Sequence, residues 1–307
     1  FLYKAQLLRY QKETWLKEMQ GLASQAAYAF TKLNQLEKAV VALERGLARL
    51  LSEALQRDRA NLEQLKTTGH TDLYDRYQDL VGRYHWAQQQ QKVDALKTAQ
   101  ADLDKVIEDI RQVPDYENFL MPPDFDLIKA AAQETPLVYI LTTSAGGLAL
   151  IVHPQTVTTV TLPEFTDETL TQKRISYFTA YDNRQQDRLA WHQAIDDMGQ
   201  WLWQVLWQPL REKLPNQQRI TLIPVGWLNL LPLHAAWTED TTQPTDRRYA
   251  RDELTIAYAP NAVSLQKARD LAAHIQYDKL LAIDEPKPVT ANPLPNSSVE
   301  VHAIARH

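Results

Sequence analysis

The chain contains no cysteine. That absence removes disulfides, thiolate metal ligation and a cysteine nucleophile from the chemistry these 307 residues can supply themselves. Proline is missing from the first 113 residues, and all 16 prolines stand at or after Pro114. A proline-free stretch of that length suits long helices, because nothing in it withholds a backbone N–H. Basic surplus is missing too: 33 Lys and Arg face 38 Asp and Glu, a formal net charge of -5. A nucleic-acid partner is therefore not expected. No apolar run reaches the ~18 to 20 residues that span a bilayer, and no basic segment with an apolar run opens the chain, so a cytoplasmic protein without a membrane partner is expected. What is present, 44% hydrophobic residues and 23% charged, suits a globular chain of two domains.

In the proline-free part, Leu43, Leu47, Leu50, Leu51, Leu55, Leu62 and Leu65 recur at spacings near three and four. This predicts a helix from Leu36 to Lys66, about 45 Å long at 1.5 Å per residue. Thr67-Thr68-Gly69-His70 breaks it. Two further stripes follow, Leu73, Tyr77, Leu80, Tyr84 and then Leu96, Leu103, Val106, Ile107, Ile110, so long antiparallel helices are expected. Upstream, Ala26, Ala27 and Ala39 would let two short helices approach closely across a turn at Leu33-Asn34-Gln35, with Leu43 and Leu47 closing the hairpin. This resembles one helix-turn-helix unit of a tetratricopeptide repeat. Such a unit needs stacked neighbours, so more repeats are expected before Phe1. Because the sequence also stops within a helical pattern at Ala303 to His307, an excerpt of a longer protein is expected.

After Pro114 the periodicity changes, which divides the chain into an all-α arm over 1–116 and an α/β domain over 117–307. Leu137 to Thr143, Gly147 to Val152 and Thr156 to Leu162 are joined by short turns and predict an antiparallel meander. Asp187 to Leu214 returns to helix, with Trp191, Ile195, Met198, Leu202, Val205 and Leu206 on one face and a bend near Pro209. Trp201, Trp203 and Trp207 are expected to pack that helix on a sheet. Arg219 to Ile223 reads as a strand entering Pro224 and Gly226, and the run LNLLPLHAAW after Trp227 is expected in the sheet interior. Leu254 to Tyr258 and Leu280 to Ile283 add apolar runs, each followed by a helical pattern, at Ala262 to Ile275 and Val299 to His307. That alternation predicts a parallel portion, hence a mixed sheet.

The series PLVYILTTSAGGLALIV, RITLIPVGWLNLLPLHAAW, ELTIAYAPNAVSLQKA and KLLAIDEP with LPNSSVEVHAIA resembles the CHAT domain, from about Phe119 onward. The resemblance implies a caspase-like α/β fold, commonly attached to tetratricopeptide repeats and related to caspases and separase. It further implies a cysteine-peptidase site with a His and a Cys at the ends of adjacent strands, both placed after the LPxxxxEV segment, here Leu294 to Val301. With no cysteine in the chain, that site cannot be assembled from these residues, and the domain is expected to be truncated before its catalytic half. The expected function is the scaffold of such a peptidase, with a helical arm that senses a protein partner and a peptide or protein substrate for the whole protein. A non-enzymatic interaction module is the alternative.

No catalytic, cofactor-binding or metal-ligating residue is assigned, and no cofactor is implied. His234, inside an apolar segment, is expected to be a buried imidazole bonded to a backbone carbonyl. His302 and His307 share a terminal helix without acidic ligands, and His70, His85, His153, His192 and His274 fall in no common motif. Asp284-Glu285-Pro286 follows a strand in a loop and receives no role. Gly146-Gly147 reads as a hairpin turn, not a phosphate loop, because no Lys and no helix follow it. Tyr74, Tyr77 and Tyr84 are expected to pack.

Overall fold

The structure, a computed structural model, describes residues 21–55, 58–90, 92–114, 116, 119, 123–214, 218–274, 294 and 296–304. The chain forms two compact units, residues 1–266 and 267–307.

The first unit opens with helix α1, residues 21–32, and α2, Leu36–Leu55. Asn34 turns the chain between them at φ 57°, a conformation asparagine tolerates. Then come α3, Asp58–Thr67, α4, Thr71–Gln89, and α5, Val93–Arg111. Arg76, early in α4, pairs with Asp109, late in α5, at 2.8 Å, so these two helices are antiparallel. The leucine stripes meet in a core of Leu62, Leu65, Leu80, Val106 and Ile110, against which Tyr74 and Tyr77 pack.

A short helix, α6 (Phe125–Ala131), is capped by Asp124, which accepts from the Leu127 N–H. Strands β1 (Leu137–Thr143), β2 (Gly146–Val152) and β3 (Val157–Leu162) form the antiparallel meander that the sequence predicts. Two helices follow, α7 (Asp167–Asp182) and α8 (Arg188–Leu202). The sequence reading did not mark α7, although Thr166 and Thr169 form a reciprocal capping box at its start. A wide π-type turn over Trp203–Trp207 leads into α9, Gln208–Arg211. The bend falls beside Pro209, which has no N–H to continue an ordinary helical ladder.

Strand β4, Arg219–Pro224, pairs parallel to β1 and is followed by a small hairpin of β5 (Trp237–Glu239) and β6 (Arg247–Tyr249), which the sequence reading also left unmarked. After one turn of helix, α10 (Ala250–Glu253), strand β7 (Thr255–Tyr258) pairs parallel to β4 and leads into α11, Ala262–His274. The main sheet has the order β3-β2-β1-β4-β7. The boundary between the units falls within α11, and the next described helix is α12, Ser297–Ile304. The expected strand Leu280 to Ile283 lies outside the described residues.

Alternation along β1 builds two cores from one strand. Val138 and Ile140 face Leu170, Met198, Leu202, Trp203, Leu206 and Trp207, while Leu137, Tyr139 and Leu141 face Ala27, Ala39, Val40, Leu43 and Ile128. The tryptophan-bearing helix therefore packs on the sheet, as expected, and the buried Trp207 indole donates to the Leu233 carbonyl at 2.6 Å. The opposite face is covered by α1, α2 and α6, so the first helical hairpin shares a core with the sheet. Its close approach is visible at Gly46, where an added Cβ would lie 2.7 Å from the Ala23 Cβ.

One charged side chain is buried among the described residues. Glu44 of α2 is 0% exposed and lies on the apolar face that also carries Val40 and Leu43. The Tyr139 hydroxyl donates to it at 2.7 Å and the Val263 N–H at 3.0 Å. Burial nevertheless pushes the Glu44 carboxyl above its usual range, against these hydrogen bonds, and raises the Tyr139 phenol well above its own.

Three stability outcomes follow. Leu231, 4% exposed in the core of the tryptophan face, should tolerate no charge: Leu231→Asp is expected to cost several kcal/mol, and an unchanged melting temperature would place the side chain on the surface. A Cβ on Gly147 would sit 2.7 Å from the Phe165 carbonyl oxygen, whereas one on Gly82 meets nothing within 4 Å. Denaturant titration should show Gly147→Ala losing about 1–3 kcal/mol and Gly82→Ala gaining about 0.5–1 kcal/mol. For Glu44 the folded state holds the proton more tightly than the unfolded chain, so its contribution is complete below the ordinary glutamate pKa and lost as pH rises through the folded value. Melting curves from about pH 4.5 to 7 should therefore show Glu44→Gln gaining on the natural chain as pH increases; parallel curves would contradict the raised carboxyl.

Candidate functional site

The parallel strands β1, β4 and β7 end on one edge of the sheet, at Thr143, Pro224 and Tyr258. Loops that leave the carboxyl ends of parallel strands are where open α/β sheets place ligands and reactive groups, because the strands hold the loop roots rigid and side by side. The chain segment that shapes this edge is the one from Val225 to Ala236.

Pro224 still takes part in the sheet, opposite Ile140, and the next N–H, of Val225, donates to the Ile140 carbonyl at 2.8 Å. Gly226 then turns at φ 67° into a tight helical turn, Gly226–Leu230. Asn229 folds its side chain back and donates to the Pro224 carbonyl at 2.8 Å and the Gly226 carbonyl at 3.2 Å. After Pro232 a second tight turn covers Leu233–Ala235. These turns decide which apolar residues are covered. Leu228, Leu231 and Leu233 point into the core, but Trp227 is 45% exposed and Leu230 54% exposed. The expectation that the run after Trp227 lies wholly in the sheet interior is thus corrected: β4 is central, but its continuation coils at about three residues per turn and sends alternate side chains outward.

His234 is corrected by the same geometry. It is exposed, not buried, and its ring partner is a phenol, not a backbone carbonyl. The Tyr258 oxygen accepts the His234 backbone N–H at 3.0 Å and lies 3.0 Å from the His234 Nδ1. A hydroxyl that donates its own proton to Nδ1 selects the Nε2–H tautomer. Burial pushes the Tyr258 phenol up to about 12, so it stays a neutral donor near pH 7. The two rings meet edge to face, 5.8 Å apart.

Helix α7 supplies the flank. Thr142, near the end of β1, donates to Asp167 in the first turn of α7 at 2.6 Å. One helical face further on, the Arg174 guanidinium lies 4.2 Å from the centre of the Trp227 ring, with its Nε buried and without a hydrogen-bond partner. The edge therefore presents an aromatic ring under a cation, an exposed Leu230 and a histidine whose Nδ1 is hydrogen-bonded to a phenol. Sequence reasoning missed Arg174 and Tyr258; the only signal for Tyr258 was its place at the last position of a short strand.

The arrangement places no thiol beside His234. A general base must reach a nucleophile, and here the Nδ1 of His234 is engaged by a neutral phenol, while no thiol exists in the chain. In the second unit His302 donates from Nδ1 to the Ser298 carbonyl at 2.7 Å. Among the described residues no group of three or more His, Cys, Asp or Glu is placed to hold a metal. Asp284, Glu285 and His307 lie outside the described residues. Two open clefts, about 410 and 610 Å³, belong to the α7–α8 hairpin, and neither includes Trp227, His234 or Tyr258.

No helix among the described residues is long and apolar enough to cross a membrane. No curated protein matches the chain. The matched family segment starts within α8 and leaves β1 to β3 outside it, a shorter span than the resemblance from Phe119 onward suggests. Over residues 196–307, which carry β4, β7 and the turns between them, the chain matches the family model of the CHAT domain.

Proposed function

We propose that this chain is the scaffold and partner-binding portion of a caspase-like cysteine peptidase, with its thiol nucleophile supplied from outside these 307 residues. The observation that carries the reading is the carboxyl edge: β1, β4 and β7 end side by side, and β7 forms the margin of the sheet among the described residues. A further parallel strand beside β7 would deliver its own following loop to the same edge, next to Tyr258 and His234, where the base and the thiol of such a site belong. The Trp227, Leu230 and Arg174 surface would then flank a peptide substrate.

The arm over 1–116 is the partner-binding element in this reading, with the α1–α2 hairpin as a tetratricopeptide-like unit and the α3–α5 bundle standing on its own core. The absence of cysteine favours one other reading, an interaction module without peptidase activity. A thiol-directed covalent probe separates the two. This chain alone should remain unlabelled. The full-length gene product that carries these residues should be labelled at one cysteine and should lose both labelling and peptide cleavage when that cysteine becomes serine. A full-length protein that takes no label and cleaves nothing would leave the interaction module as the function.

A further inference from the structure

Glu44 is unexplained by packing alone. A carboxylate with no exposure in an apolar face costs more to bury than a hydrocarbon of the same size, and the chain retains it. It joins three separate parts of the fold. It sits on α2 of the arm, its Oε2 accepts the Tyr139 hydroxyl of β1, and its Oε1 accepts the Val263 N–H, 219 positions away in sequence. The Ala262 N–H is a further hydrogen-bond partner.

Those two amides begin α11. The helix has a local cap, because Asn261 accepts the Ser264 N–H at 2.7 Å, but a local cap cannot satisfy all the free N–H groups of a first turn. Glu44 fills the remainder from another element, and its charge faces the positive end of the helix. The turn it holds is short. Ala259 donates back to the Leu222 carbonyl at 3.0 Å, and Tyr258, the residue before it, carries the hydroxyl that fixes His234. Five positions therefore separate the amide held by the arm from the phenol that sets the edge histidine.

We propose that Glu44 is a positioning residue: it couples the seat of the α1–α2 hairpin to the β7–α11 turn, and through Tyr258 it fixes the orientation and tautomer of His234 at the carboxyl edge. The physical reason is that a buried carboxylate cannot be left without donors. If α2 shifts, the start of α11 must follow it or Glu44 must take up a proton, and either change releases the turn that aims Tyr258. A protein bound to the arm would thereby alter the edge without touching it. This last step rests on the partner-binding reading of the arm, whereas the coupling itself does not.

The tautomer of His234 is the readout, because a residue that merely supports the fold would not select it. In 15N-histidine-labelled chain, the His234 ring signals are identified by their loss in His234→Gln, and Tyr258→Phe shows the pattern of an uncoupled ring. The natural chain should show the Nε2–H pattern. Glu44→Ala should move His234 to the Tyr258→Phe pattern, and Glu44→Gln, which keeps an acceptor for Val263, should restore the natural one. Leu65→Ala, which opens a cavity in the α3–α5 core, should destabilise the chain and leave His234 unchanged. Should Glu44→Ala fail to fold by circular dichroism, Glu44→Asp withdraws the carboxylate by one methylene and is expected to give the uncoupled pattern. A folded Glu44→Ala or Glu44→Asp with the natural His234 pattern overturns the coupling. Such a result leaves the peptidase-scaffold reading intact, since thiol labelling of the full-length protein is read separately.

Discussion

Strand β1 carries the constraint from which the rest of the structure follows. It pairs antiparallel with β2 along seven residues on one side and parallel with β4 along four, Leu137 to Ile140, on the other, and so joins the two halves of a mixed sheet. With both edges paired, its side chains have only the two faces to go to, and five of them in succession, Leu137 to Leu141, are fully buried. A strand buried on both faces demands two layers of helix, because an uncovered apolar face of that width would not remain in water. Helices α7 to α9 form one layer. On the other face lie α6 and, from the arm, α1 and α2.

That second layer explains why the arm is not a free appendage. Small residues Ala27 and Ala39 and the bare backbone at Gly46 let α1 and α2 pack closely enough to cover Tyr139 and Leu150. The charged residue buried in this layer is Glu44, and it is tolerated because two elements of the sheet side donate to it. Hydrophobic contact alone would let the hairpin slide by fractions of a turn. Directional hydrogen bonds from a hydroxyl and a helix start define one seat.

At the carboxyl edge two tight turns expose Trp227, Leu230 and His234 while hiding Leu228, Leu231 and Leu233, and a neutral phenol takes up one nitrogen of the imidazole. The edge thus offers an apolar side chain, an aromatic ring under a guanidinium and an imidazole, and the chain contains no thiol to set beside them. The CHAT match over residues 196–307 includes β4 and β7 of this edge, while β1 lies outside it.

Local pattern was legible wherever it is set by neighbours in sequence. The period of the leucine stripes, the alternation in Val157 to Leu162, the break at Gly69 and the bend at Pro209 each depend on residues a few positions apart, and the observed elements follow them closely. The missing cysteine likewise settles by itself that no thiol chemistry resides here. Helix α7 was not legible because its one buried residue, Leu170, leaves no apolar stripe to read. His234 and Trp227 were misplaced because an apolar neighbourhood says that a segment touches the core but not which way each side chain turns; three-residue turns decided that. Glu44 sits at a core position in the stripe of α2, yet only the folded chain brings it Tyr139 and Val263, 95 and 219 positions away. Periodicity is a short-range property of the chain, and the choice of partner is a long-range one, so elements could be read from the sequence while their contacts could not.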